Sequence, residues 1–145
     1  MWHYVGLLLA AHASDFAAGA WVTQDKKAIV RMAPCVTDRA RLCGTIEQIL
    51  SPEDKAGLDN YNPDPKLRRL PVLGLTILTG FAPADAPDAK CPWRDGKAYD
   101  PDSGKTYNGI ELCEKDADHM VLTKELRLGP LKTGVAGETW SRVRK

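Results

Sequence analysis

The sequence predicts an all-β protein in which one antiparallel sheet of eight strands closes into a barrel. Short runs rich in Val, Ile, Leu, Thr, Tyr and Trp alternate along the 145 residues with turns rich in Gly, Pro, Asp and Asn, which is the pattern of strands joined by hairpins. One run, His119–Leu128, alternates clearly enough to define a buried and a solvated face. The length suits a single domain with one hydrophobic core, which we place at residues 14–145.

Eight runs satisfy the strand pattern, each bounded by turn residues. In chain order they are Gly19–Thr23, Lys27–Ala33, Arg41–Leu50, Leu73–Phe81, Lys97–Asp100, Thr106–Glu114, His119–Leu128 and Glu138–Arg144. The fifth and sixth are joined by Asp100-Pro101-Asp102-Ser103-Gly104. In this turn Pro101 presets φ, the aspartates can accept hydrogen bonds from nearby amides, and Gly104 can adopt a positive φ. We therefore expect a tight hairpin there and assign its residues no catalytic role.

The apolar face of the seventh strand contains one charge. Its apolar row consists of Met120, Leu122, Leu126 and Leu128, and the opposite face carries His119, Thr123, Glu125 and Arg127. Lys124 interrupts the apolar row. Either the strand bulges at Lys124 or the lysine points into the barrel.

Two irregular stretches interrupt the strand pattern. The segment Ser51–Pro71 is polar, contains four prolines and includes the rigid run Asn62-Pro63-Asp64-Pro65. We expect a long, lid-like, Pro-rich loop with one short helical turn, for which Ser51 is a suitable N-cap. The second stretch, Ala82–Pro92, holds three prolines and no apolar row, so it is expected on the surface.

The first 13 residues fit a secretory signal. An apolar run, Val5–Ala11, leads into Ala11-His12-Ala13, a small-residue pattern at which signal peptidase cleaves. We expect export to the periplasm or the exterior. Because the segment is short and has no Lys or Arg before the apolar run, two alternatives stay open: a start further upstream, or an apolar tail on a cytosolic protein. The run is about half of the roughly 20 residues that a membrane span needs, so no span is expected.

The four cysteines support an oxidising compartment because they form an even set that follows the proposed cleavage site. Three pairings are open. We favour Cys35 with Cys43, since these residues flank a polar turn between two strands. By elimination Cys91 would bond Cys113 and clamp the loop after the fourth strand.

Composition and motifs exclude several function classes. The chain has 20 Lys and Arg against 19 Asp and Glu, and the basic residues are scattered along it. This distribution argues against electrostatic binding of nucleic acid. There is no Cys-x-x-Cys and no nearby His pair for a metal, and no Gly-x-Ser-x-Gly for a hydrolase. A polar cluster comprises Tyr99, Asp100, Asp102, Ser103, Lys105, Tyr107, Glu111 and His119, but it holds no recognisable catalytic set. We expect no enzyme activity, metal or cofactor.

The two ends of the domain point to a structural closure of the barrel. Gly19-Ala20-Trp21 resembles the Gly-x-Trp opening of calycin barrels (lipocalins and their relatives), in which the tryptophan plugs one end and a basic side chain from the last strand covers it. Arg142 is placed to be that side chain. A guanidinium over an indole adds cation–π attraction to the buried area. We therefore assign Gly19, Trp21 and Arg142 a structural role.

From about Ala17 to Val143 the chain resembles the bacterial domain-of-unknown-function 2147 family of small exported proteins. The shared elements are Gly19/Trp21, Leu42-Cys43-Gly44, Asn62–Asp64 with Arg68 and Pro71, Leu73–Leu75, Tyr99–Tyr107 and Thr139–Val143. The resemblance implies a barrel like that of lipocalins or fatty-acid-binding proteins. It implies no activity, because the family has none established.

An eight-stranded barrel can be filled with side chains or hold one small ligand. We predict a monomer that binds a small, largely apolar ligand with an anionic, lipid-like head. The candidate head-group residues are Arg31, Tyr99, Tyr107, Arg127 and Arg144, because arginine pairs with anions and tyrosine donates hydrogen bonds. The alternative is a cell-envelope structural or protein-interaction module with a filled barrel, docking through the Ser51–Pro71 loop, where Arg68 and Arg69 offer two cations to an acidic partner.

Overall fold

A computed structural model describes residues 15–51, 57–86, 90–128 and 131–144, with the backbone alone at 125–128 and 131–136. The expected signal segment, residues 1–13, lies outside these ranges, as do Pro52, Glu53 and Asp54, which follow the expected N-cap Ser51. No helix in the described part is long and apolar enough to cross a membrane.

The fold is a closed barrel of eight antiparallel strands, which confirms the predicted fold class. The strands are β1 (Gly19–Val22), β2 (Ala28–Pro34), β3 (Leu42–Ile49), β4 (Thr76–Pro83), β5 (Trp93–Asp100), β6 (Lys105–Asp116), β7 (His119–Leu128) and β8 (Leu131–Arg142). Each strand pairs with the next, and β8 pairs back onto β1 through Trp21 opposite Arg142. A closed sheet has no free edge strand.

Two strands, β5 and β8, begin at least four residues earlier than the sequence pattern predicts. β5 begins at Trp93 instead of Lys97, although it includes Asp95 at a positive φ of 60° and Gly96. β8 begins at Leu131 instead of Glu138. In β8 the pairing with β7 extends the strand from Leu131, where local propensity is weak. In β5 the register shifts on either side of Gly96 accommodate the irregular residues.

The antiparallel order places alternate connections at opposite ends of the barrel. The β2–β3, β4–β5 and β6–β7 connections and the N-terminal segment lie at one end, here called the closed end. The β1–β2 turn, the β3–β4 loop and the β5–β6 turn lie at the other, here called the open end. The described helical turn, Pro65–Leu67, lies in the β3–β4 loop and has Asp64 as its N-cap.

Both disulfides are formed as predicted, Cys35 with Cys43 and Cys91 with Cys113. Both lie at the closed end. The first clips the β2–β3 turn across 8 residues, and the second ties the loop after β4 to β6 across 22. Two disulfides and the barrel they reinforce fit an oxidising compartment.

Removing the longer disulfide is expected to cost more stability than removing the shorter. On the chain-entropy relation the Cys91–Cys113 bond contributes about 3.4 kcal/mol and the Cys35–Cys43 bond about 2.5 kcal/mol, since the larger loop restricts the unfolded chain more. Urea unfolding of the C91S/C113S and C35S/C43S double variants measures both. A greater loss of unfolding free energy in C35S/C43S would contradict this ranking.

Candidate functional site

The closed end is plugged by Trp21. Its indole is fully buried, donates from Nε1 to the carbonyl of Ala17 at 2.9 Å, and meets the Phe16 ring edge-on at 5.7 Å between centroids. The Arg142 guanidinium carbon lies 4.3 Å from the centre of the indole, so a cation covers the ring. Gly19 adopts φ +106°, a conformation that L side chains rarely adopt.

Arg142 also ties three segments together. Its guanidinium donates to the carbonyls of Phe16 at 2.8 Å and Ala18 at 3.2 Å, and its Nε donates to Ala117 in the β6–β7 turn at 3.1 Å. The cation thus satisfies backbone acceptors that a hydrocarbon side chain would leave without partners. Each of the three guanidinium nitrogens thus donates to a backbone carbonyl, which is the geometry of a structural clamp.

The open half of the barrel encloses a cavity of about 800 Å³. Its wall is mostly apolar. The apolar strand residues lining it are Ala28, Ile46, Ile49, Ile77, Leu78, Ala98, Ile110, Leu122 and Trp140. The volume lies within the roughly 300–1,000 Å³ of small-molecule sites, and the apolar lining with few polar groups is typical of them.

The cavity stops where large side chains fill the barrel. Toward the closed end the interior is occupied by fully buried Trp21, Phe81, Met32, Leu112 and Met120. Along β7 the inward positions run from Met120 at the closed end through Leu122 to Lys124. The barrel is therefore filled at one end and hollow at the other.

Lys124 points into the cavity. Of the two possibilities offered by the sequence, a bulge at this position or an inward-pointing lysine, the second is therefore correct. It lines the cavity with Tyr107, and its ammonium lies 5.3 Å from the centre of the Tyr107 ring. No carboxylate of the described residues is within ion-pair distance of Lys124, and the Tyr107 hydroxyl makes no hydrogen bond to another described residue. Both groups are available to a ligand.

The remaining charges at the rim are engaged within the protein. The Asp100 carboxylate accepts from the Asp102 amide at 2.9 Å and the Ser103 hydroxyl at 2.8 Å, as the turn chemistry predicts. Asp102 forms an ion pair with Lys27 at 3.6 Å. Glu138 accepts from the Trp140 indole nitrogen at 2.9 Å.

The β3–β4 loop is fastened to the barrel beside the cavity mouth by a buried carboxylate. Asp59 is fully buried, and its two oxygens accept from the Tyr99 hydroxyl at 2.6 Å and the Asn62 side-chain amide at 2.8 Å. Burial raises the pKa of Tyr99 well above its usual range, and the hydrogen bond and negative charge of Asp59 raise it further. The phenol therefore stays protonated and donates permanently to the loop.

The Asn-Pro-Asp run and Arg68 organise the same loop. The Asn62 side chain accepts from the Asp64 amide at 2.8 Å, and Asp64 in turn accepts from the Lys66 amide at 3.0 Å. Arg68 donates from Nε to the Asn62 carbonyl at 2.7 Å. These motif residues form a self-supporting loop and do not contribute to the cavity wall.

The structure separates the five predicted ligand-binding residues. Tyr99 and Tyr107 line the cavity, but the Tyr99 hydroxyl is committed to Asp59, so only its ring faces a ligand. Arg31 lies on the outer surface of β2 paired with Glu47, which raises the pKa of Arg31, and Arg144 is paired with Asp118 at the closed end. Neither arginine lines the cavity, so neither is placed to meet the head group of a ligand held there. The side chain of Arg127 lies outside the described residues.

Two residues of the site were not among the predicted ligand-binding set. Lys124 was visible in the sequence as the charge in an apolar row, and strand parity with Met120 and Leu122 places it inside. Asp59 gave no such signal, because it lies in a polar loop where burial has no sequence periodicity. Within the described residues, no group of three or more His, Cys, Asp or Glu side chains is placed to hold a metal ion.

Comparison with known proteins agrees with this architecture. Residues 19–142 match a family described as "Uncharacterized protein conserved in bacteria (DUF2147)". The chain belongs to this family. The DUF2147 match begins at the glycine of the Gly-x-Trp opening and ends at the arginine that covers the tryptophan, so it spans the complete barrel. No protein with a curated description matches the chain.

A solved structure supports the same fold for this DUF2147 member. Protein HP1028 from the human pathogen Helicobacter pylori, described as belonging to the lipocalin family, is similar at 21% identity with a TM-score of 0.69. The similarity covers 88% of this chain and 83% of HP1028. At 21% identity this similarity shows a lipocalin-like fold and does not show that the two proteins share a ligand.

Proposed function

We propose that this protein is an exported, monomeric, non-catalytic carrier that binds one small, largely apolar ligand through the open end of its barrel. The observation that carries the proposal is the apolar cavity of about 800 Å³ that remains after the closed end has been filled. The two disulfides support export, and the closed sheet, which offers no edge for another chain, supports a monomer.

The cavity favours an amphiphile with a carboxylate head. Lys124 offers an inward ammonium and Tyr107 a hydroxyl beside it, while the wall below them is apolar. A carboxylate between these groups would receive a charge-assisted and a neutral hydrogen bond, and the chain of the ligand would extend toward Leu122 and Ile77. The rim aspartates do not oppose this arrangement strongly, because Asp100 and Asp102 are engaged in their own turn and in the ion pair with Lys27.

Replacing Lys124 with methionine is expected to weaken binding of a fatty acid by about tenfold to a hundredfold. A hydrogen bond to a charged group contributes about 1.5–3 kcal/mol, and methionine preserves the length and apolar stem of lysine. Displacement of a fluorescent fatty-acid analogue measures the affinity. Lys97→Met, an exposed lysine that does not line the cavity, is the matched control and should bind like the unmodified protein.

A fatty alcohol of the same chain length separates the head group from the cavity. Its affinity should be the same in K124M and in the unmodified protein, because it carries no charge for Lys124 to pair with. If fatty acid and alcohol bind but K124M changes neither, the carboxylate assignment is wrong and the carrier function stands. If neither probe shows saturable binding, the carrier function is wrong and the protein-interaction module is favoured.

Native mass spectrometry of protein purified from its own host tests the function without choosing a ligand. A co-purifying molecule with the mass of an amphiphile supports the carrier. A clean apoprotein that also fails to bind hydrophobic dyes contradicts it.

A further inference from the structure

The exposed apolar side chains of this protein are concentrated on one loop. Seven large hydrophobic residues of the described chain are exposed, and five of them lie on the β3–β4 loop. We call these five and the three cations between them the loop patch: Leu58, Tyr61, Leu67, Leu70 and Leu73 with Lys66, Arg68 and Arg69. The five apolar side chains are 40–65% exposed. Scattered exposed leucines need no explanation, but five on one short segment mark an interaction surface.

The loop patch combines apolar and cationic groups. Leu67 and Leu70 are one helical turn apart, linked by the hydrogen bond from the Leu70 amide to the Leu67 carbonyl at 3.1 Å. Lys66 and Arg69 form no ion pair with a carboxylate of the described residues. The described acids of this loop are Asp59, which is buried, and Asp64, which caps the helical turn. The exposed face therefore presents leucines among positive charges.

The loop patch is continuous with the cavity. Leu58 and Tyr61 belong to both, since each is exposed and each lines the cavity. The loop is fastened to the barrel through Asp59 and Tyr99 and through backbone hydrogen bonds between Ile46 and residues 74 and 75, while its five apolar side chains keep 40–65% of their surface exposed. A ligand leaving the cavity at this point would pass directly over the loop patch.

We propose that the loop patch docks on an anionic lipid bilayer and places the cavity mouth against it. Leucine and tyrosine side chains partition into the headgroup boundary, and lysine and arginine are attracted by the negative surface of such a bilayer. The β5–β6 turn, which contacts the loop at Tyr61, carries Asp100 and Asp102, but the first accepts hydrogen bonds within the turn and the second pairs with Lys27. The inference rests on the proposed function, because docking on a bilayer would serve a carrier whose apolar ligand is stored in that bilayer. Its test does not require a ligand.

Sedimentation with lipid vesicles tests the docking surface. Vesicles of equal parts phosphatidylcholine and phosphatidylglycerol should bind the protein, and vesicles of phosphatidylcholine alone should bind it roughly tenfold more weakly, since each basic residue near the surface contributes to attraction. Raising the salt concentration should reduce binding to the anionic vesicles. Absence of binding to the anionic vesicles overturns the proposal. This holds even if the protein is found to form a complex with another protein instead.

Paired variants locate the contact. L67S/L70S should lower binding to anionic vesicles roughly tenfold or more, while V36S should leave it unchanged, because Val36 is 92% exposed but lies at the closed end. Arg69→Glu should also weaken binding, and Arg39→Glu, in the same closed-end turn as Val36, should not. Equal losses in the loop and control variants would contradict the proposal. Fatty-acid binding in solution, measured on the same variants, should remain intact, so failure of docking and failure of the carrier function are distinguishable.

Discussion

Replacing Trp21 with alanine is expected to destabilise the barrel by about 3–5 kcal/mol, the range for truncating a large buried aromatic residue. The indole is fully buried, and its removal leaves a void between Phe16 and the Arg142 guanidinium. The Ala17 carbonyl also loses its hydrogen-bond donor. Because domain stabilities are typically about 5–15 kcal/mol, this single change removes a large part of the total. Urea unfolding followed by circular dichroism, with both disulfides intact, measures the loss.

Trp140→Ala is the matched control for this prediction. Trp140 is also buried, but its ring forms part of the cavity wall and therefore has packing partners on fewer sides. Its truncation should cost less stability than W21A, because dispersion contacts are lost only where neighbours exist. A W21A variant that loses no more stability than W140A would show that the closed end is not the principal packed core.

The pattern of strands and turns predicted the eight strands, and the resemblance of the Gly-x-Trp opening and Arg142 to calycin barrels predicted how they close. Alternation of apolar residues identified β7, and local turn chemistry identified the hairpin that ends at Gly104, since both signals arise within a few residues of chain. The early residues of β5 and β8 carried no such signal. Asp95 and Gly96 have poor strand propensity, and Asp95 adopts a positive φ of 60°. The strand continues past them because β4 pairs with Arg94 and Lys97 on either side and β6 pairs with Gly96.

The sequence analysis chose the ligand-binding candidates by charge rather than by strand parity, which is why it included arginines that do not line the cavity. Val30 and Met32 are inward, so Arg31 between them has to point outward, and this could have been deduced from the sequence. The same rule places Lys124 inside, two residues beyond Leu122. Arg144 lies past the end of β8, where no strand directs it inward.

Whether the barrel is hollow could not be predicted from the sequence. It depends on how side-chain volumes from eight strands sum at each level of the barrel, and on a loop whose position is set by distant contacts. The buried Asp59 shows the difficulty. Its burial follows from partners 3 and 40 residues away, Asn62 and Tyr99, neither of which marks it as buried in the linear sequence.

The contact between the loop and the β5–β6 turn makes Gly104 a sensitive position. Gly104 adopts φ +76°, and a Cβ built there would lie 1.9 Å from the Tyr61 carbonyl oxygen, so an alanine forces the loop backbone to move. Gly104→Ala should cost about 2–5 kcal/mol, the sum of a left-handed backbone penalty of about 1–2 kcal/mol and an overpacking cost of about 1–3 kcal/mol.

Gly109→Ala isolates the effect of this contact. Gly109 has a similar φ of +67°, but a Cβ there meets nothing within 4 Å, so the variant carries the backbone penalty alone. Since Tyr61 belongs both to the cavity rim and to the loop patch, G104A should also release a bound fatty acid faster and weaken vesicle binding, whereas G109A should do neither. Stopped-flow dissociation of the fluorescent analogue measures the release. Identical unfolding free energies and release rates in the two variants would show that the loop does not control the cavity mouth through this turn.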